Sequence, residues 1–170
     1  MGKKIFNYGV LLFLFLACSC GYRFSGAGAL PGSVTKVYVE MFENRSFETG
    51  AETLFTNAFI SELLRQTDAD VVDKESAQAF IFGTIRSINI GALTRTHEDL
   101  ILERRVTALF DLKMTTRAGK VLFAVNGFSE DDEYRVSKTD TSSAASEKGA
   151  VEKIAERISE KLVSRLKDNF

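Results

Sequence analysis

The chain has 170 residues and a formal net charge of −1, a size that favours one compact domain. Hydrophobic residues make up 45% and charged residues 26% of the chain, the balance of a globular protein and not of a disordered one. The near-neutral charge argues against a protein that binds nucleic acid through phosphate contacts. One His and two Cys, both near the N-terminus, supply no metal site and no nucleophile–base pair, and we expect no cofactor.

The first twenty residues have the pattern of a secretion signal. Lys3 and Lys4 give a short positive start, and an apolar run over 5–17 follows them. A helix of that length spans about 20 Å, well short of the ~30 Å hydrocarbon core of a bilayer. The segment is therefore predicted to be removed after export instead of remaining as a transmembrane helix.

The cysteines at the end of this signal indicate lipidation. The small residues before Cys20 resemble the bacterial lipobox, in which the Cys thiol receives a diacylglyceryl group before cleavage. Cys18 is the weaker candidate, because the bulky Phe15 stands three residues before it. The alternative is an ordinary signal peptide with incidental Cys. We predict a signal peptide over 1–19 and a lipidated, flexible, glycine-rich leader over 20–33.

The remaining residues, 34–170, are predicted to form one domain, and hydrophobic periodicity locates its elements. These are, in chain order, a strand over 34–42, a turn over 43–46, a helix from Thr49 to about Gln66, a brief edge strand at 71–73, strands over 79–90, 104–114 and 121–134, a loop over 137–146 and a final helix from Val151.

Local patterns support these assignments. Thr49 and Glu52 have capping-box spacing at the start of the first helix. Residues 104–114 alternate between apolar and polar positions, as in a half-buried strand. In the strand over 79–90, alternation places two sets of apolar residues on opposite faces, namely Phe80, Phe82, Ile88 and Ile90 on one and Ile81, Gly83 and Ile85 on the other. Helices that flank antiparallel strands indicate an α+β fold with the helices on one sheet face.

Several short motifs together resemble a known family. They are Cys20-Gly21-Tyr22, Leu30-Pro31, Val37-Tyr38-Val39 with Phe42 and Asn44 after it, Val71-Val72, and Ala79 to Gly83. In this order, with an amphipathic helix between them, they resemble the lipopolysaccharide (LPS)-assembly lipoprotein family LptE. The resemblance implies two helices on a mostly antiparallel sheet of about four strands. It also implies an outer-membrane lipoprotein that faces the periplasm and plugs the lumen of the large β-barrel LptD while LPS passes to the outer leaflet.

If LPS is a ligand, cationic side chains are its expected contacts. Arg117 and Lys120 bracket one hairpin turn and could converge on a phosphate. Arg105 lies on the polar face of a strand, and Arg95 lies at another hairpin tip. The alternative is that turns carry basic residues because they are solvated. The partners implied are thus LptD, LPS and, through acylated Cys20, outer-membrane lipid.

Two other function classes stay open. One is a lipoprotein subunit of a different outer-membrane assembly, such as a curli-type secretion channel, whose periplasmic domains open with a similar strand and helix. The other is an enzyme such as a cell-wall hydrolase, for which the sequence shows no convergent carboxylates and no activated nucleophile. His97 and the acidic run Glu130 to Glu133 are interpreted as solvated residues, not as metal ligands.

Overall fold

The structure is a computed structural model that describes residues 28–95, 101–136 and 140–168. These residues form two helices and a six-stranded sheet. Its elements in chain order are a short 3-10 turn (Pro31–Ser33), β1 (Lys36–Val39), β2 (Glu43–Asn44), α1 (Ala51–Gln66), β3 (Asp70–Val71), β4 (Ala79–Arg95), β5 (Ile101–Thr116), β6 (Val121–Arg135) and α2 (Asp140–Asp168). The predicted α+β class is confirmed, with six strands instead of about four.

The sheet is mixed, in the order β3-β1-β4-β5-β6, and the short β2 pairs with β4. β1 runs parallel to β3 and β4, and β2 is also parallel to β4, whereas β4, β5 and β6 form an antiparallel meander. The long strand β4 has 17 residues, which corresponds to about 55 Å. Helix α1 has 16 residues, or about 24 Å. The strands therefore extend well beyond this helix.

Both helices pack against the same face of the sheet, which we call the inner face. The predicted alternation of β5 is confirmed, because its inward residues are all buried, namely Val106, Ala108, Phe110, Leu112 and Met114. They meet the buried stripe of α2, which includes Ile154, Ile158, Leu162 and Leu166. The helices run side by side in the same direction. Gln66 at the end of α1 donates to the Glu160 carbonyl (3.5 Å), and Ala51 at its start shares a groove with Val151.

An aromatic cluster at the centre of the inner face requires a glycine. The rings of Phe42 and Phe110 lie 5.2 Å apart, edge to face, and both are buried. Gly83 of β4 lies directly beneath them. A Cβ atom at this position would lie 2.6 Å from the Phe42 ring and 2.7 Å from the Phe110 ring. Only glycine allows the strand to approach the rings this closely.

A β-bulge changes which side chains of β4 face the helices. Ile85 pairs with Phe110, but the next pair is Ser87 with Leu109, so one residue is inserted into β4. Directly opposite residues point to the same face of a sheet. Ile88 pairs with buried Ala108 and therefore lies on the inner face. The prediction that Ile88 and Ile90 share a face with Phe80 and Phe82 is wrong, because the bulge reverses the alternation.

Helix α1 begins without the predicted capping box. It starts at Ala51 after Gly50, whose φ of +83° is left-handed, and no side chain caps it. Glu52, which would have completed the capping box with Thr49, instead accepts a hydrogen bond from Asn44 (2.9 Å). Asn44 also belongs to β2, in a segment predicted as a turn.

The loop predicted over 137–146 is wrong from Asp140 onward, where α2 already begins. The structure provides a tertiary contact that holds this early part of the helix on the sheet. The Tyr134 hydroxyl of β6 donates to Glu147 Oε2 (2.8 Å), and the Arg104 guanidinium of β5 lies 3.9 Å from the same carboxylate. Packing thus stabilises a helical segment that is rich in Ser and Thr and has no apolar period.

The described part of the predicted leader, residues 28–33, belongs to the fold. Leu30 is only 1% exposed and joins the core. The Gly28 backbone N–H donates to the Gln66 carbonyl (3.1 Å) at the end of α1. Cys20, the rest of the leader and the signal peptide lie outside the described residues.

Candidate functional site

The face of the sheet opposite the helices is the candidate functional surface. Within residues 28–95, 101–136 and 140–168, both helices lie on the inner face, and none covers this outer face. The outer face is formed mainly by alternate residues of β4, β5 and β6, and it differs in composition along the length of the strands.

Ion pairs cover most of the outer face. Most of them join neighbouring strands, and one joins Glu43 of β2 to Arg45, the residue that follows this strand. We call this set the ion-pair ladder. Its pairs are Arg45–Glu43 (2.9 Å), Arg86–Asp111 (3.8 Å), Arg105–Glu133 (2.6 Å), Arg105–Asp131 (3.6 Å) and Arg135–Glu103 (3.6 Å). The ladder joins five carboxylates with four guanidinium groups, so the surface is strongly polar and close to neutral.

The ladder holds its charges in fixed positions. The hydrogen bond from Arg45 and its positive charge keep the pKa of the Glu43 carboxyl below the usual range. The bond to Glu133 and the carboxylate charge raise the pKa of Arg105 still further. Exposed pairs of this kind contribute little to folding, because water screens them. Their main effect is on the chemical character of the surface and not on the stability of the domain.

One end of the outer face is different and carries an aromatic patch, formed by Tyr38, Phe80 and Phe82. The Tyr38 and Phe80 rings meet edge to face with 6.2 Å between their centres. Phe82 is 36% exposed, and the Lys113 ammonium lies 5.9 Å from the centre of its ring. A shallow groove of about 530 Å³ crosses the patch and reaches Lys74. The patch thus combines apolar rings with nearby cations, and Glu40 and Glu75 also line the groove.

Arg117, a predicted LPS contact, makes hydrogen bonds within the domain. It lies at the β5–β6 turn as predicted, with Gly119 at φ +84°. Its Nη2 donates to the backbone carbonyls of Lys74 (3.3 Å), Glu75 and Ala77 (3.0 Å). The guanidinium therefore fixes the chain before β4, and much of its hydrogen-bonding capacity is used within the domain.

The four predicted cations do not form one site. Lys120 lies at the same turn as Arg117, and within the described residues its ammonium has no ion-pair partner. Arg105 is a member of the ion-pair ladder. It lies twelve residues before Arg117, which is about 40 Å along a strand. The backbone of Arg95 is at the far end of β4, opposite Ile101, and its side chain lies outside the description, as does His97.

The acidic run in β6 is divided between the two faces of the sheet. Asp131 and Glu133 point outward to Arg105. Asp132 points to α2, where Arg157 Nη2 lies 2.7 Å from its carboxylate, and Glu130 is bonded to Lys161 (2.6 Å). The sequence signal for these pairs was the i, i+4 repeat of cations in α2, which could not reveal their strand partners. In the described part of the chain, no group of three or more His, Cys, Asp or Glu is arranged to hold a metal ion.

The helical side of the domain has an acidic groove. A groove of about 500 Å³ between α1 and α2 is lined by four glutamates, which are Glu62, Glu152, Glu156 and Glu160. Arg65 pairs with Glu62 and holds the pKa of this carboxyl below its usual range. This groove would repel an anionic ligand, so the outer face with its aromatic patch is the better surface for an anionic amphiphile.

Comparison with known proteins agrees with this architecture. An uncharacterized lipoprotein B from Nitrosomonas europaea has a TM-score of 0.60 and 13% identity, over 86% of this chain and 90% of its own. A protein from Xanthomonas campestris has a TM-score of 0.55 and 13% identity, over 85% and 90%. The rare lipoprotein B from Shewanella oneidensis has a TM-score of 0.52 and 8% identity, over 76% and 92%. At these identities the likeness shows a shared fold.

Sequence comparison gives the family. No curated protein matches the sequence significantly. Of the residues that the structure describes, none forms a helix long and apolar enough to cross a bilayer. The LptE family, described as lipopolysaccharide-assembly, matches residues 34–166, which is most of the chain and nearly all of the folded domain. This chain therefore belongs to the LptE family of lipopolysaccharide-assembly lipoproteins.

Proposed function

We propose that this protein is an outer-membrane lipoprotein that faces the periplasm, occupies the lumen of the β-barrel LptD and assists LPS insertion into the outer leaflet. Acylated Cys20 would anchor it in outer-membrane lipid. The proposal requires no cofactor and no catalytic residue. It rests on family membership and on one structural observation, the ion-pair ladder on an uncovered sheet face.

The ion-pair ladder supports a position in the barrel lumen, because paired charges tolerate the partial loss of water there. The interior of an outer-membrane barrel is polar. A domain inside it needs a polar surface that can lose part of its bulk water. Charges that already have partners lose less on partial desolvation than unpaired charges do. Arg105, held between Glu133 and Asp131, has such partners before any barrel is present.

The aromatic patch supports contact with an amphiphile. Phe80 and Phe82 offer apolar surface beside Lys113 and Lys74. Acyl chains pack on aromatic rings, and ammonium groups attract phosphate. Of the four predicted contacts, Lys120 keeps an ammonium free of ion pairs within the described residues and lies at the turn beside this patch. We propose Lys120 as the LPS contact to test first.

Affinity purification of the full acylated chain from outer membranes tests the proposed function. We expect the wild-type protein to recover one large β-barrel. The Cys20→Ser variant cannot be lipidated, so it should be depleted from the outer-membrane fraction and recover much less of the barrel. Arg105→Glu places three carboxylates together, with Glu133 and Asp131, and should also reduce recovery.

The outcomes of this purification are distinct. Wild-type protein that recovers no barrel would contradict the proposed function. A ring-sized oligomer without a barrel would support a secretion-channel subunit instead. Normal recovery by Arg105→Glu would show that the ladder does not face the partner.

A further inference from the structure

The loop between β2 and α1 presents one large apolar side chain to solvent. Phe47 is fully exposed (104%), more than any other large apolar residue of the described chain. The next values are 63% for Met41 and 53% for Leu64. Single exposed apolar residues are common on protein surfaces. The construction of the surrounding loop is what distinguishes Phe47.

Hydrogen bonds to Asn44 fix this loop on both sides of Phe47. Asn44 Nδ2 donates to the Glu48 carbonyl (2.8 Å) and to Glu52 Oε2 (2.9 Å). Its Oδ1 accepts from the Ser46 N–H (2.9 Å) and from the Ser46 hydroxyl (2.7 Å). One amide thus uses both donors and accepts two bonds. The Ser46 hydroxyl in turn accepts from the Glu48 N–H (3.2 Å), so the chain is bonded immediately before and after residue 47.

The ends of the loop are also held. The Arg45 N–H donates to the Ile85 carbonyl (2.9 Å) of the sheet. Gly50, in the left-handed conformation at φ +83°, turns the chain into α1. The N-cap position of α1 is Gly50, which has no side chain, so the helix begins without a side-chain cap, although a cap is worth about 1 kcal/mol. The two ends of the loop are therefore held by the sheet and by the turn at Gly50.

An exposed aromatic residue on a fixed loop is suited to be the centre of a protein–protein contact. Aromatic residues contribute strongly to binding energy at interfaces, where they fill pockets on the partner. A loop backbone that is fixed before binding loses little conformational entropy when its side chain inserts. The surface continues beside Phe47 as a groove of about 590 Å³ that is lined by Glu48, Leu54 and Val151. The groove adds contact area around a single protruding anchor.

Charge and position favour a protein over a lipid surface as the occupant. Residues 43–52 contain three carboxylates, Glu43, Glu48 and Glu52, and one cation, Arg45, which gives the segment a net charge of −2. An anionic bilayer surface repels such a segment. Phe47 also precedes α1, whereas Gly28 contacts the other end of this helix, about 24 Å away. The leader therefore enters the domain far from Phe47.

We propose that Phe47 is an anchor residue that inserts into an apolar pocket with a basic rim on a protein partner. This inference rests on the proposed function, in which the partner is the outer-membrane barrel. The pocket would lie on the part of the barrel that meets the start of α1. The carboxylates around Phe47 would face the basic rim.

Binding of the full acylated chain, in detergent, to the purified barrel tests the proposal. Phe47→Ala should weaken binding about 30-fold, which corresponds to about 2 kcal/mol. Leu64→Ala removes another exposed apolar side chain, on α1, and should change binding less than about twofold. Phe47→Trp keeps a large ring and should retain most of the affinity. The unfolding midpoint of each variant should match wild type, because both side chains are exposed.

Each outcome distinguishes the inference from the proposed function. Wild-type protein that does not bind the barrel would contradict both. Wild-type and Phe47→Ala proteins that bind equally would overturn only the role of Phe47. Binding to vesicles of anionic phospholipid that depends on Phe47 would overturn it in favour of a lipid surface. Self-association of the wild type that Phe47→Ala abolishes would overturn it in favour of a second copy of this chain.

Discussion

Replacement of Gly83 by Ala tests the packing that positions the outer face relative to the helices. The added Cβ would lie 2.6 Å from Phe42 Cδ1 and 2.7 Å from Phe110 Cζ, whereas carbon atoms in contact are about 3.5–4.0 Å apart. Both rings are buried, and Phe110 also stacks on Phe55 with 6.0 Å between centres. The rings therefore have no free space into which to move. Overpacking of this kind costs about 1–3 kcal/mol.

Thermal unfolding followed by circular dichroism measures this effect. For a domain of this size, a loss of about 2 kcal/mol lowers the midpoint by about 4–8 °C. Gly91→Ala is the matched control, since it lies in the same strand and an added Cβ meets nothing within 4 Å. It should be neutral or slightly stabilising, because Ala restricts the unfolded chain. If Gly83→Ala is as stable as Gly91→Ala, the account of the aromatic cluster is wrong.

Three further predictions follow from single contacts. Arg117→Ala removes hydrogen bonds to three backbone carbonyls and should lower the free energy of unfolding by about 1–3 kcal/mol in urea titration, with partial recovery in Arg117→Lys. Asp132→Asn leaves Arg157 without its carboxylate at 2.7 Å and should destabilise by about 1–3 kcal/mol, a loss that would be absent if solvent replaced the contact. Burial, aided by the bond to Glu147, raises the pKa of Tyr134 above its ordinary 10.0. The contribution of Tyr134 to stability is therefore present below pH 10 and is lost as the pH rises through the folded-state pKa. In a tyrosinate absorbance titration, Tyr134→Phe should remove the ionisation step at the highest pH.

The parts of the fold that follow from local periodicity were predictable. β5 lies in the middle of the antiparallel meander, with the helices on one side and solvent on the other. A strand in that position must alternate, and Val106 to Met114 do so without interruption. The turn at Gly119 was equally visible, because a left-handed residue between two strands favours glycine.

The predictions that were wrong concern features that depend on a single bulge or on a few tertiary contacts. A bulge inserts one residue after Ile85, and no residue type marks its position. The early turns of α2 read as a loop because Ser and Thr are weak helix formers. They are helical where Glu147 reaches Tyr134 and Arg104 on the sheet, and these partners are distant in sequence.

The sequence could predict which residue types the candidate site contains, but not which groups they contact. The sequence identified Arg105 and Arg117 as exposed cations. It could not show that Arg105 pairs with Glu133, 28 residues away, or that Arg117 binds the Ala77 carbonyl, 40 residues away. The role of a cation depends on which groups the fold places beside it. Phe47 was missed for a similar reason, because only the hydrogen bonds of Asn44 show that its loop is rigid.

The point at which the chain enters the domain relates the lipid anchor to the outer face. Gly28 is bonded to Gln66 at the end of α1, and a Cβ on Gly28 would overlap the Lys167 side chain near the end of α2. The eight residues 20–27 span at most about 27 Å, so a lipid on Cys20 would hold this end of the domain close to the bilayer. β4 starts at the same end and runs about 55 Å away from it. If the domain occupies the proposed barrel with this end at the periplasmic rim, the long strands and the ion-pair ladder would run along the lumen. The proposed lipid anchor and the proposed lumen position would then be compatible in one orientation of the domain.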